Sequence, residues 1–241
     1  MGLPVVDGLD LSLKGQVLQV TVQRGEANLM SMEMCRALTD LLLVPPAGAR
    51  VMHLRARGPA FCLGRDRDHA GEDGLREEAE TLVRLNRALS AGKLVTVAEV
   101  AADAAGYGVG LAALSDLSFV SPVARFWFPE VEAGLAPTVV LAWLPALVGR
   151  SRAFRLVASG VKIDGREAAR IGLFTAAAKT AEHLPALVAE EVEMLLRHPP
   201  QPQREIRSFL HETLGTGSVD IDRLSVERLV TNSLRLNQAT P

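Results

Sequence analysis

The sequence predicts an α/β fold. Three observations carry that prediction. Short apolar runs with period-two alternation recur through the first half of the chain, and amphipathic stretches of helical period separate them. The segments between successive strands are also long enough to cross over a sheet and return. The composition lets such a fold close around a core and stay wetted, since 48% of the 241 residues are hydrophobic and 22% are charged.

The elements follow in order. Two strands open the chain, Leu9–Leu13 and Gln16–Val22, joined at Lys14-Gly15. In the second, Val20 and Val22 alternate with Gln19, Thr21 and Gln23, as a half-buried strand requires. Asn28 or Ser31 caps a helix whose Met30, Met34, Leu38, Leu41 and Leu42 share one face, and Pro45-Pro46 stops it. A strand at Val51–Ala56 turns Met52, Leu54 and Ala56 to one side. An amphipathic helix from Leu75 to Leu89, a strand at Leu94–Val100, a small-residue helix from Val109 to Asp116 and a strand at Leu117–Val120 come next. From there the chain is mainly helical. His198-Pro-Pro-Gln-Pro-Gln203 reads as a hinge, which divides a core of residues 1–197 from a helical segment of residues 198–241 with helices at Arg204–Leu214 and Ile221–Leu236.

Bulk properties exclude several classes of function. The net charge of −2, from 26 basic and 28 acidic residues, argues against a nucleic-acid surface, which needs clustered cations. The longest uncharged stretch, Ala133 to Gly149, is broken by Pro137 and Pro145 and reads as a buried helix pair, not a membrane span. The N-terminus lacks the pattern of a signal peptide, and Cys35 and Cys62 form no metal-ligand spacing or disulfide framework, which suits a reducing cytoplasm. The five histidines show no spacing for a triad, and no metal site is expected.

Three segments carry chemistry. Gly58-Pro-Ala-Phe-Cys-Leu-Gly-Arg-Asp66 follows a buried strand and can present a backbone N–H at its end, although a plain surface loop has the same look. Ala105-Gly-Tyr-Gly-Val-Gly-Leu-Ala-Ala-Leu-Ser-Asp116 is a glycine-rich turn opening a helix. Free N–H groups there suit a developing oxyanion; equally, the glycines suit close packing. Glu130 follows Pro129 beside aromatic residues, either as a turn cap or as a carboxylate poised for proton transfer.

These segments resemble the crotonase superfamily, whose members bind acyl thioesters of coenzyme A. Val51–Asp66 resembles its strand–G-x-x-F-C/A-x-G-x-D, and Ala105–Asp116 its G-G-G-x-E-L-A-L-x-x-D. Ala124–Pro137 resembles A-x-F-x-x-P-E-x-x-x-G-L-x-P; Leu147–Ala153 and Ser159–Leu173 match two further motifs in the right order. The likeness spans roughly residues 10 to 180. It implies a spiral of ββα units with a C-terminal helical trimerisation region, a homotrimer or hexamer, and an acyl-CoA or acyl-carrier-protein thioester as ligand. It implies no cofactor beyond the coenzyme A of the substrate.

Carried over residue by residue, the backbone N–H groups of Arg65 and Tyr107 form the oxyanion hole. Cys62, Leu63, Gly64, Asp66, Gly106 and Gly108 line the thioester site, and Glu130 is the catalytic carboxylate. Two departures stand out. An arginine replaces the usual small residue at position 65, its side chain expected to point to solvent, and Gly110 replaces the family's first catalytic glutamate. With one carboxylate left, moving a double bond from the 3 to the 2 position is the leading expectation. Ordinary hydration should be crippled without the second carboxylate but stays an alternative; decarboxylation or C–C cleavage, with Arg65, Tyr107 or His69 holding a polar acyl group, is a further one. A non-catalytic thioester-binding or partner-stabilising role is another. Cys62 lacks an activating partner and reads as packing, and Glu132 is a weak second carboxylate.

Overall fold

Alternation along the second strand leaves Leu18, Val20 and Val22 wholly enclosed, and the rest of the sheet grows from that face. The structure is a computed structural model that describes residues 2–68 and 71–214, together with 223, 226, 227, 229–231, 233 and 234. Strands β1 (Leu9–Lys14) and β2 (Val17–Val22) pair antiparallel, with Leu9 opposite Val22. Helix α1 (Met32–Leu43) starts at Ser31, whose hydroxyl accepts from the N–H of Met34 at 3.2 Å. Its apolar face is buried as expected. Asn28 does not cap it. That residue sits at φ 49°, fully enclosed, and its amide fastens the carbonyls of Arg57 and Ala60 at 2.7 Å each.

A repeating unit then appears. Strand β3 (Val51–Ala56) joins the large sheet, β4 (Ala60–Cys62) joins a smaller one, and helix α2 (Glu72–Ala91) follows. Strand β5 (Val95–Val100), strand β6 (Asp103–Ala105) and helix α3 (Tyr107–Ala113) repeat the pattern. Strands β7 (Leu117–Val120) and β8 (Arg125–Trp127) begin it again, leading to a 3-10 turn at Pro129–Val131. Short helices α4 (Thr138–Leu141) and α5 (Leu144–Val148) come next, then α6 (Arg150–Ser159), β9 (Ile163–Asp164), α7 (Gly165–Arg170) and β10 (Ala176–Ala177). Helices α8 (Leu184–Arg197) and α9 (Pro200–Leu214) follow.

The large sheet runs β1-β2-β3-β5-β7-β10, parallel from β2 onward. The small sheet runs β4-β6-β8-β9, with β4, β6 and β8 parallel. This is the spiral of ββα units. Strand β5 is buried on both faces, as a central parallel strand should be. Its Val95 and Val97 pack with Val51 and Phe119 under Leu184, Val188 and Val192 of α8, while the main core fills the other side. His53 lies on the α8 side as a packed residue, its Nε2 2.9 Å from Glu99 Oε2.

One expectation about the C-terminal segment changes. The proline run is not a hinge through Gln203. Helix α9 already begins at Pro200, because prolines fit the first turn, where a backbone N–H would have no intrahelical acceptor. The helix is docked by Arg207, buried at 8% exposure, which donates to Asp116 Oδ1 at 2.7 Å and to the carbonyls of Leu89 and Gly92. Most of Ile221–Leu236 lies outside the described residues, as does His69. Among the described residues, no helix is long and apolar enough to cross a membrane, and no cluster of metal-ligating side chains occurs.

Candidate active site

The small sheet gathers the three chemical segments. Strands β4, β6 and β8 lie side by side and parallel, with Cys62 opposite Ala104 and Ala105 opposite Trp127. The loop 63–68, the turn at Gly106 and the Pro129-Glu130 turn therefore leave from the carboxyl ends of three adjacent strands. That edge is where open α/β sheets bind ligands.

In the first segment, Met30 forms a parallel bridge with Arg65: Met30 N–H donates to Gly64 O at 3.1 Å, and Asp66 N–H donates to Met30 O at 3.0 Å. This alternation turns the intervening Arg65 N–H the other way, and among the described residues it meets no acceptor. Leu63 N–H donates to Ala27 O at 2.9 Å, and Gly64 holds φ 137°, open to glycine. Asp66 is held by Arg24 at 2.6 Å. Cys62 is enclosed, its thiol donates to Gly64 O at 3.1 Å, and burial pushes its pKa up to about 12, so it shapes the loop from within and is not a nucleophile.

The Arg65 side chain does not point to solvent. It turns inward, and its guanidinium lies 2.7 Å from Glu78 Oε2 on α2, the two side chains 12% and 1% exposed. Glu78 Oε1 accepts from Asp68 N–H at 3.1 Å, so one carboxylate fastens the loop at two points. The physical reason is a contact between elements: the enclosed carboxylate on α2 needs a cation, and Arg65 is within reach. Sequence reading missed Glu78. The available signal was its place among Leu75, Ala79 and Leu82, on the apolar face of α2. The exposed cation of this loop is Arg67, whose charge, with that of Arg65, acts on Glu130.

In the second segment, Gly106 holds φ 51° and its N–H donates to Trp127 O at 2.9 Å. Tyr107 and Gly108 begin α3, and among the described residues neither N–H finds an acceptor, as expected of a helix's first turn. A Cβ at Gly108 would fall 2.0 Å from Cys62 O, so only glycine lets α3 approach the end of β4. The Tyr107 ring is packed inside, with its hydroxyl donating to Leu82 O at 3.2 Å. Neither the Tyr107 nor the Arg65 side chain is thus available to hold a polar acyl group.

Glu130 stands directly against this turn. A Cβ at Gly106 would lie 2.5 Å from Glu130 Oε1, so the absent side chain makes room for the carboxylate. Glu130 Oε2 is buried and, among the described residues, has no hydrogen-bond partner. Burial raises the pKa, opposed by the residue's own N–H and the charges of Arg67 and Arg65. A carboxylate spent on capping would have both oxygens wetted or bonded; this one has a buried oxygen with no partner among the described residues, an arrangement compatible with proton transfer. Glu132 is exposed, its Oε1 3.5 Å from where a Cβ at Gly160 would sit.

One helical turn beyond Gly106, Gly110 faces an indole. Its missing Cβ would sit 3.2 Å from Trp143 Cζ2, 3.7 Å from Cε2 and 3.8 Å from Nε1. Sequence reading missed Trp143 too, because nothing local ties α5's lead residue to α3. Past Glu130, an apolar cavity of about 550 Å³ is lined by Val131, Leu135, Leu141, Phe154 and Val157. None of Arg65, Gly106 or Tyr107 lines it, so it adjoins Glu130 through Val131 without reaching the turn at Gly106.

Comparison with known proteins converges on one group. The sequence pattern described as enoyl-CoA hydratase/isomerase matches residues 12–233. A cyclohexa-1,5-dienecarbonyl-CoA hydratase from Thauera aromatica is 31% identical over 175 residues, covering 71% of this chain and 67% of that one. The crystal structure of an enoyl-CoA hydratase from Mycobacterium avium subsp. paratuberculosis K-10 superimposes with a TM-score of 0.85 at 26% identity, covering 99% of this chain and 97% of that one. A Thermobifida fusca YX protein of the enoyl-CoA hydratase type, solved in complex with CoA, superimposes with a TM-score of 0.80 at 26% identity, covering 100% and 99%.

Proposed function

The chain belongs to the enoyl-CoA hydratase/isomerase family, and from that premise we propose that it shifts the double bond of an enoyl-CoA from the 3 to the 2 position. The observation that carries this reading is the Glu130 carboxylate, set against Gly106 with an oxygen that has no partner among the described residues, while position 110 carries no carboxylate. Ionised Glu130 takes a proton from C2, and the electron pair moves into the thioester carbonyl. The N–H groups of Arg65 and Tyr107 hold the resulting enolate oxygen, each donor worth about 3 kcal/mol. Glu130 then returns the proton at C4, leaving the double bond between C2 and C3. One group suffices because the proton leaves and returns on the same face.

The CoA found with the Thermobifida fusca relative supports CoA as the carrier, and a carrier-protein thioester is the competitor to test beside it. Exposed Arg67 is placed to meet a phosphate at the mouth. Association through the C-terminal helices belongs to the same reading, with Ile206 of α9, 58% exposed, as surface for it.

The test is an ultraviolet assay for conjugation of a 3-enoyl-CoA. Glu130→Gln should lower kcat by about 10²- to 10⁴-fold. In the wild type, kcat/KM should fall as pH drops through a value above the ordinary carboxylate range, because the base must be ionised and burial raises its pKa. The same raised pKa means ionisation opposes folding: its stabilising contribution is present at low pH and lost as pH rises through the folded value. Glu130→Gln should therefore unfold at a higher temperature than wild type at neutral pH. Hydration is the second reading, favoured by the names of relatives such as the Thauera aromatica enzyme. Faster hydration of a 2-enoyl-CoA than conjugation of a 3-enoyl-CoA would select it.

A further inference from the structure

We propose that Trp143 is the specificity-determining residue of this site: its indole stands in the space a second carboxylate at position 110 would use and keeps out both that group and the water it would hold. The inference rests on the reading of Glu130 as the base. Gly106 caps the start of α3, and Gly110 lies one turn into it. Beyond Gly106 lies the Glu130 carboxylate; beyond Gly110 the three nearest atoms all belong to the Trp143 ring. A longer side chain at 110 must run into that ring edge. Residue 143 is held in place, since its backbone N–H donates to Val140 O at 3.2 Å and the following Leu144 is fully enclosed, and the indole packs against the main core.

The consequence is chemical. Hydration breaks an O–H bond of water, forms C3–O, and delivers a proton to C2, which is best divided between two groups. An indole supplies neither a base for the water nor a cage of acceptors to orient it. Removing only the ring leaves room with no second base; adding only the carboxylate leaves it without room. The two positions should act as a coupled pair, so the change of reaction needs both.

The experiment is a double-mutant cycle of Gly110→Glu and Trp143→Ala, read by hydration of crotonyl-CoA, with conjugation of a 3-enoyl-CoA measured on the same preparations. Both single variants should hydrate no better than wild type, and the double should exceed either by at least about tenfold. Gly110→Glu hydrating as fast as the double variant overturns the proposal, because the ring would then be no obstacle. So does a double variant that folds and binds crotonyl-CoA yet hydrates no faster than wild type. Absent conjugation by the wild type sinks the isomerase reading, while the cycle still reports on Trp143. Should the double variant not fold, Trp127→Phe isolates the emission of Trp143. That emission should change when crotonyl-CoA binds, and unchanged emission under calorimetric saturation overturns the placement of the ring.

Discussion

The two backbone N–H groups proposed as donors, those of Arg65 and Tyr107, are held by opposite means. The loop carrying Arg65 is tied by charge: Arg24 holds Asp66 at 2.6 Å, Glu78 holds Arg65 at 2.7 Å, and the same Glu78 accepts from Asp68 N–H. The turn carrying Tyr107 has no charged residue from Ala104 to Gly110. It is located by Gly106 N–H on Trp127 O and by the close seat of Gly108 on Cys62. The difference follows from what each segment joins. A loop with a single bridge to Met30 has little backbone ladder to fix it, so side chains must do so. A turn between β6 and α3 takes its place from both elements, and only space has to be managed. Graded damage is expected on the charged side and abrupt damage on the packed side.

Gly108→Ala should have the largest effect. The new methyl would sit 2.0 Å from a backbone oxygen and 2.7 Å from its carbon, neither of which can swing aside as a side-chain tip does. Shifting α3 should lower stability by more than about 3 kcal/mol and displace the Tyr107 donor. Urea unfolding and turnover of a 3-enoyl-CoA read the two losses. If both survive the substitution, close packing is not what places the second donor.

How far the sequence reaches follows the same division. The strands from β1 to β7 of the large sheet, the buried face of α1 and the Ser31 cap were legible because each depends on residues within a few positions. So was the gathering of Cys62–Asp66, Gly106–Gly108 and Glu130 into one order of motifs, through family resemblance. Strands β4, β6 and β8 were not, since three residues are too few to show alternation and exist as strands only by pairing with each other. The inward turn of Arg65 depends on Glu78 in another element, and the filling of Gly110's space depends on Trp143 in a third. Contacts between elements leave no periodic mark.

Glu78→Gln should come next in size. The amide keeps its shape and one acceptor but leaves the largely buried Arg65 without a counter-charge, which should cost about 2 kcal/mol. If Glu78 positions the donor, kcat should fall by about tenfold while KM for the thioester stays nearly constant, the pattern of an interaction made mainly in the transition state. A purely structural role would show in the melting temperature alone, with kcat unchanged in the folded fraction. Glu78→Asp, which keeps the charge on a shorter arm, should recover part of the lost kcat.

The smallest effect belongs to Asp66→Asn. Its partner Arg24 is one-third exposed, so the pair is partly screened and worth at most about 1 kcal/mol. The asparagine retains the backbone bond from position 66 to Met30 O, which does not involve the side chain. Turnover should therefore fall by no more than about fivefold, and the gap from wild type in melting temperature should shrink as salt is raised. Gly108→Ala should show no such salt response, since its defect is steric. Should the Asp66→Asn gap instead persist unchanged in high salt, Asp66 would act through its hydrogen-bond geometry, and the charge-held and packing-held halves of the site would differ less than their residues suggest.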